Sequence, residues 1–152
     1  MLHTLQTTQF IKSDINTVWA FMSSPKNLAT LTPEYMQFQV LSDLGDGKMY
    51  QGQIIEYYVK PLLGIKLHWV TEITHIQELQ FFVDEQRFGP YQFWHHKHFF
   101  KQVDGGVEMY DLVNYQLPFG LLGKLGHELF VKKQLQQVFD YRFKVIDKLF
   151  NT

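Results

Sequence analysis

Apolar and polar positions along the chain change period three times, and each change predicts an element. Residues 2–12, LHTLQTTQFIK, have strand composition and an extended pattern. Ser13 or Asp14 can then cap a helix, because Ile15, Val18, Trp19 and Met22 recur at helical spacing before the chain breaks at "SSP". A second short helix is expected at Lys26 to Thr30, stopping ahead of Pro33. From there the period is two, and six strands are predicted at 35–42, 49–60, 65–76, 79–88, 91–103 and 106–117. "DLGDGK", "IQEL", "FGPY" and "VDGG" supply turns between them. In the last third Leu125, Leu129, Leu135, Val138, Phe139, Arg142, Ile146 and Leu149 return to helical spacing, which predicts one long amphipathic helix.

Strand, two short helices, six antiparallel strands and a long apolar-faced helix read as an α+β domain spanning residues 1–152. A curved seven-stranded sheet that grips a helix leaves room between the two layers. A ligand would occupy that room. Composition narrows its chemistry. Fourteen Lys plus Arg stand against fifteen Asp plus Glu, with no basic arm or stripe, so no nucleic-acid partner is expected. Aromatics reach 16% of the chain, and ring surface on that scale wraps ligands or fills interfaces. Cysteine is absent, which excludes disulfides, thiolate nucleophiles and Cys-based metal sites. The opening MLHTLQTTQF lacks the basic and apolar regions of a signal peptide, and no apolar run is long enough for a bilayer. A cytoplasmic protein without stable membrane insertion is the expectation.

"FWHHKHFF" concentrates the candidate chemistry. With Asp104-Gly105 as a two-residue type I′ turn, Val103 faces Gly106. His98 then falls opposite Asp111, Phe100 opposite Met109, His96 opposite Val113, and Trp94 opposite Tyr115. That set is aromatic and apolar apart from His96, His98 and Asp111, so it is expected to face the helix, with His95 and Lys97 on the reverse side. The polar trio has three readings. His98 can donate across the strands to Asp111, since opposed side chains start about 5 Å apart. His96 or His98 can orient a polar head group in a ring-lined pocket. Finally, His96-x-His98 with Asp111 has the composition of a 2-His-1-carboxylate metal site. No metal or other cofactor is expected, because no second carboxylate or third histidine is clearly placed beside the pair. No catalytic residue is assigned either, since no nucleophile or oxyanion donor is fixed around it.

"SSPKNLATLTP" and "GPYQFWHHKHFF…GGVEMYDLVNYQLPFGLLGKLG…LFVKKQLQQVFDYR" resemble the START / pollen-allergen / polyketide-cyclase superfamily, the helix-grip fold also called SRPBCC. The likeness covers nearly the whole chain. The second stretch resembles a bacterial subgroup found alone or fused to epimerase-like domains, sometimes labelled "cell division inhibitor". This implies a helix-grip fold with a hydrophobic ligand pocket, and it places Tyr57 of "IIEYYV" inward. Trp69 shares its strand face with Ile65, Leu67, Thr71 and Ile73. If "IQEL" turns tightly, Gln86 lies near Trp69 and Asp84 near Thr71, although a one-residue slip would send both to solvent. Gly120, Gly123 and Gly126 match neither GxGxxG nor a Walker A sequence and are read as a tight entry to the long helix. Arg142 interrupts the helix stripe and either reaches the rim or meets an inner carboxylate.

The expected ligand-binding residues are Tyr57, Trp69, Trp94, His96, His98, Asp111, Tyr115 and Phe139, around a hydrophobic or amphipathic small molecule, lipid-like or polycyclic. Two alternatives stay open. One is a cyclase, dehydratase or hydrolase that uses His98–Asp111 for proton transfer. The other is an interaction module that works beside an epimerase-like protein partner.

Overall fold

Why the histidines end up indoors follows from one hairpin and from the sheet built around it. The computed structural model describes residues 1–61, 64–118 and 130–152. Within them run β1 (His3–Ile11), α1 (Ile15–Met22), β2 (Gln39–Val40), β3 (Ile54–Val59), β4 (Leu67–Gln77), β5 (Phe81–Phe88), β6 (Phe93–Val103), β7 (Gly106–Gln116) and α2 (Lys132–Phe150). The strands form a single curved antiparallel sheet in the order β1-β7-β6-β5-β4-β3-β2. Short helical segments follow β1, as expected, though they number three and not two. Asp14 is the residue that caps α1, accepting from Thr17 N at 3.0 Å. Among the described residues no helix is long and apolar enough to cross a membrane.

Several boundaries differ from the sequence-based expectation, for local reasons. The second short helix is a single 3₁₀ turn, Pro25–Asn27, which the Asn27 amide ties back to the Phe21 carbonyl at 2.9 Å. The expected strand at 35–42 shrinks to two residues, because Glu34–Met36 coil into another 3₁₀ turn and Gln37 sits at φ 45°. β3 starts at Ile54, after a turn in which Gly52 has φ 84°. β6 starts at Phe93 because the Gln86 side chain already holds Tyr91, accepting from its N–H at 3.1 Å and donating to its carbonyl at 2.7 Å. Ile65, expected on the inner face beside Trp69, precedes β4 and is exposed. Leu125, Leu129, Gly120, Gly123 and Gly126 lie outside the described residues.

The β6–β7 register is the one that the Asp-Gly turn predicts, with His98 opposite Asp111 and Trp94 opposite Tyr115. β4–β5 differs. Its turn takes three residues, 78–80, with Leu79 at φ 62°, and an irregularity at Thr74 takes one residue of offset back. Asp84 therefore pairs with Ile73 and Gln86 with Thr71, two places from the tight-turn expectation. A shift of two preserves the face, since side chains alternate with period two. Asp84 stays inside.

α2 crosses the concave face in two halves. Toward its C-terminus Ile146 is wholly buried in one cluster with Trp19, Met22, Phe82, Phe100 and Met109. Polar ties lock that end to β1. Gln9 donates to the Phe143 carbonyl at 2.9 Å, and Asn151 accepts from Lys12 N at 2.7 Å while donating to the Phe10 carbonyl at 3.0 Å. Toward its N-terminal half Leu135 and Phe139 meet Val113 and Tyr115, and here the layers stand apart. Leu149 is half exposed and leaves the apolar stripe.

β1 and the β6–β7 hairpin approach closely at Gly106. A Cβ there would overlap the Ile11 carbonyl oxygen and press on the Phe10 ring, so only glycine lets β1 pair in this register. Gly106→Ala is expected to lower stability by about 1–3 kcal/mol, the usual cost of overpacking. Urea unfolding measures it; an unchanged midpoint would mean that β1 yields freely at this point.

Candidate functional site

The gap between the sheet and the first half of α2 is a cavity of about 200 Å³. Its walls are mostly rings and branched aliphatics, because β3, β4 and β6 present Ile55, Tyr57, Trp69 and Trp94 inward and α2 supplies Val138 and Phe139. Trp69 organises the rings: it stacks with Tyr57 at 5.9 Å between centroids and meets Trp94 edge-on at 5.4 Å. One wall is polar, formed by Asp84, His96, His98 and Arg142.

Of the eight residues expected at the site, Tyr57, Trp69, Trp94, His96, His98 and Phe139 line this cavity. Asp111 and Tyr115 do not. Tyr115 is buried behind the rings of Tyr91 and Trp94, at 5.9 and 6.3 Å, which fill the space above it. Asp111 lies behind the two histidines, 1% exposed. It borders a second cavity of about 210 Å³, between β1, β7 and α2, which Phe139 and Arg142 also line. His95 faces the outer side, 3.8 Å from Glu85, as its place in the alternation requires.

The pair expected from sequence, His98 with Asp111, is part of a larger cluster. Asp111 Oδ1 accepts from His96 Nε2 at 2.9 Å and lies 2.8 Å from His98 Nδ1 and 3.4 Å from an Arg142 amino nitrogen. On the cavity side, Asp84 Oδ2 stands 2.7 Å from His98 Nε2 and 3.4 Å from His96 Nδ1. Its other oxygen accepts from the Trp94 indole N–H at 3.2 Å. The two imidazoles, 3.7 Å apart, are thus sandwiched between two carboxylates. Phe82 stacks on His98 at 4.1 Å and closes the far side of the ring.

Electrostatics within the cluster are reciprocal. Burial pushes Asp111 up, but the Arg142 guanidinium and the two imidazoles outweigh it and hold this carboxyl well below the usual range. Asp84 is also lowered, since His96 and His98 outweigh its burial. His96 is lowered, first by burial and then by the neighbouring His98. His98 goes the other way, because hydrogen bonding to Asp111 and Asp84 overcomes its burial. With His98 protonated, two carboxylates face two cations and the cluster is neutral. In that state both ring N–H groups donate, to Asp84 and toward Asp111. When His98 is neutral, Nδ1 can instead accept from Arg142 at 3.2 Å while Nε2–H donates to Asp84.

Asp84 and Tyr91 are among the lining residues outside the expected set; Asp84 is expected on the inner wall only if "IQEL" turns tightly. For Asp84 the signal existed in its inward parity, although the predicted partner was wrong. Nothing local marks Tyr91, which lies in the β5–β6 loop and is drawn over the sheet by Gln86. Arg142 meets the inner carboxylate, one of the two options its place on the stripe allowed.

No protein-family model matches the sequence, and no curated protein matches it significantly. Solved structures do match in fold. The Zhui aromatase/cyclase from Streptomyces sp. R1128 superposes with a TM-score of 0.75 at 10% identity, covering 96% of this chain and 92% of that one. A START superfamily protein from Mycobacterium smegmatis gives 0.71 at 12% identity, covering 98% and 97%. Ara h 8.0201 gives 0.60 at 15% identity, covering 96% and 98%. At these identities the likeness is one of architecture: this chain shares the helix-grip fold of these three proteins.

Proposed function

We propose that the protein binds a hydrophobic or amphipathic small molecule between the sheet and α2, without transforming it. One observation carries this reading: a cavity of about 200 Å³ lined mostly by rings and aliphatic side chains, with Asp84, His96, His98 and Arg142 together on one wall. Burial of apolar ligand surface would supply the affinity and the Asp84–His98–Arg142 wall the orientation. The volume lies below the roughly 300–1,000 Å³ of drug-sized sites, so a compact one- or two-ring molecule suits it better than a long lipid. The buried Trp69 indole N–H has no acceptor among the described residues, which favours a ligand that carries an oxygen.

Val138→Trp tests the reading, because Val138 lines the cavity from the helix side and an indole there would fill it. The variant is expected to stay folded and to bind a two-ring hydrophobe such as 2-naphthol at least about tenfold more weakly, a loss of about 1.4 kcal/mol. Native mass spectrometry of gently purified wild type should also show a small molecule released on denaturation. Equal binding by both proteins, with no bound mass, would sink the proposal.

A second reading, proton transfer on a bound substrate, is favoured by the 2.7 Å contact of His98 Nε2 with Asp84 at the cavity wall. The aromatase/cyclase with the same fold is a precedent for chemistry in this architecture. Turnover of aromatic or polyketide-like substrates, lost in a folded Asp84→Asn variant, would select this reading over simple binding.

A further inference from the structure

We propose that Asp84, His96 and His98 form a site for one divalent first-row transition-metal ion on the polar wall of the cavity. The three side chains come from neighbouring strands. Asp84 of β5 lies directly opposite His96 of β6, and His98 is two residues further along the same face. One donor atom from each falls within 4.8 Å of the others, the one such group among the described residues. An ion held at about 2.0–2.2 Å by imidazole nitrogen and carboxylate oxygen sets adjacent donors roughly 3.0–3.4 Å apart. The 3.4 Å between His96 Nδ1 and Asp84 Oδ2 already has that spacing. The 2.7 Å between His98 Nε2 and Asp84 Oδ2 has to open by a few tenths of an ångström, a side-chain adjustment.

What distinguishes this group from three polar residues that merely hydrogen-bond is the support behind it. A metal-bound imidazole characteristically gives its other N–H to a carboxylate, which sets tautomer and ring orientation. Here one oxygen, Asp111 Oδ1, lies 2.9 Å from His96 Nε2 and 2.8 Å from His98 Nδ1, the two nitrogens not used toward Asp84. The ligating carboxylate is backed as well, since its second oxygen accepts from the Trp94 indole. Charge is apportioned in the same way. Arg142 sits against Asp111 and His98 Nδ1, the side turned from Asp84, so Asp111 answers the guanidinium and Asp84 is left for the ion. Metal-free, neutral His98 donates from Nε2 to Asp84; on loading, that proton moves to Nδ1 and Asp111 accepts it. Two imidazoles and one carboxylate suit zinc, iron(II), manganese(II) or cobalt(II), and suit calcium poorly. With only three protein ligands, the remaining positions open on the cavity, where water or an oxygen of a bound ligand completes the shell.

The test uses tag-free protein stripped with EDTA, dialysed, and titrated with Co(II) by visible absorption and with Zn(II) by calorimetry. The expected result is one equivalent of Co(II), with d–d bands that Zn(II) displaces. Asp84→Asn and His96→Gln should each weaken Co(II) binding at least about tenfold, and Trp94→Phe, which removes the supporting N–H and keeps most of the ring wall, by about tenfold. His95→Ala on the outer face should change nothing. Absence of saturable binding at millimolar Co(II), or full binding in Asp84→Asn, would overturn the proposal, as would its loss in His95→Ala. If a cavity variant unfolds, proton NMR of the wild type decides. Co(II) should shift the ring protons of His96 and His98 far more than those of His95; larger shifts on His95 than on the other two would refute the site.

Discussion

Asp111→Asn is expected to lower stability by about 3–5 kcal/mol in metal-free protein, as the removal of one partner from a buried charge cluster does. Asp111 is 1% exposed, and its Oδ1 is shared by His96, His98 and Arg142. The amide keeps the size but removes the charge that holds Arg142, so the guanidinium loses the carboxylate it pairs with among the described residues. Urea unfolding in EDTA should show a lower midpoint with an unchanged slope. Because Asp111 does not line the ring-walled cavity, affinity for a hydrophobic probe should change far less than stability. A double variant makes the cause visible: Asp111→Asn with Arg142→Met removes both charges, and its loss should be smaller than the sum of the single losses. A single variant within about 1 kcal/mol of wild type would show that the cluster holds no uncompensated charge.

The second large effect is expected at Trp94. Its ring forms part of the cavity wall against Trp69 and Tyr91, and its N–H supports Asp84. Trp94→Ala removes both. Stability should fall by about 3–5 kcal/mol, the range for truncating a large aromatic, and affinity for 2-naphthol should fall by a kcal/mol or more. Trp94→Phe separates the two roles, since it keeps most of the apolar wall and loses the donor. Probe affinity in Trp94→Phe should stay within about threefold of wild type, a difference of roughly 0.7 kcal/mol. If Trp94→Ala binds the probe as tightly as wild type does, ring burial is not what holds the ligand.

Much of this arrangement is legible in the sequence because it is set locally. Period-two alternation over four long strands assigns their faces, and an Asp-Gly turn between Val103 and Gly106 locks β6 to β7 residue by residue. From that hairpin alone His96 and His98 go inward with Trp94, His95 goes outward, and His98 meets Asp111. The long helix is equally readable from its stripe, although Arg142 within that stripe leaves both the rim and an inner carboxylate open. These are features whose physical cause lies within a few residues, or within one tight turn, of the side chains concerned.

What lay out of reach depends on contacts between distant segments. The turn after β4 takes three residues, and the irregularity at Thr74 returns one, so the partner of Asp84 depends on how β4 packs rather than on its turn residues. Whether a side chain reaches the cavity or stops beneath it is a matter of which neighbours pack over it. Tyr115 has the right face but lies under Tyr91 and Trp94, and Tyr91 arrives there from a loop held by Gln86. Asp111 likewise faces the helix yet sits behind the imidazoles, because both rings lean from β6 across its carboxylate. Alternation chooses between two faces of a sheet; depth along the inward normal is chosen by packing, which only the assembled tertiary structure decides.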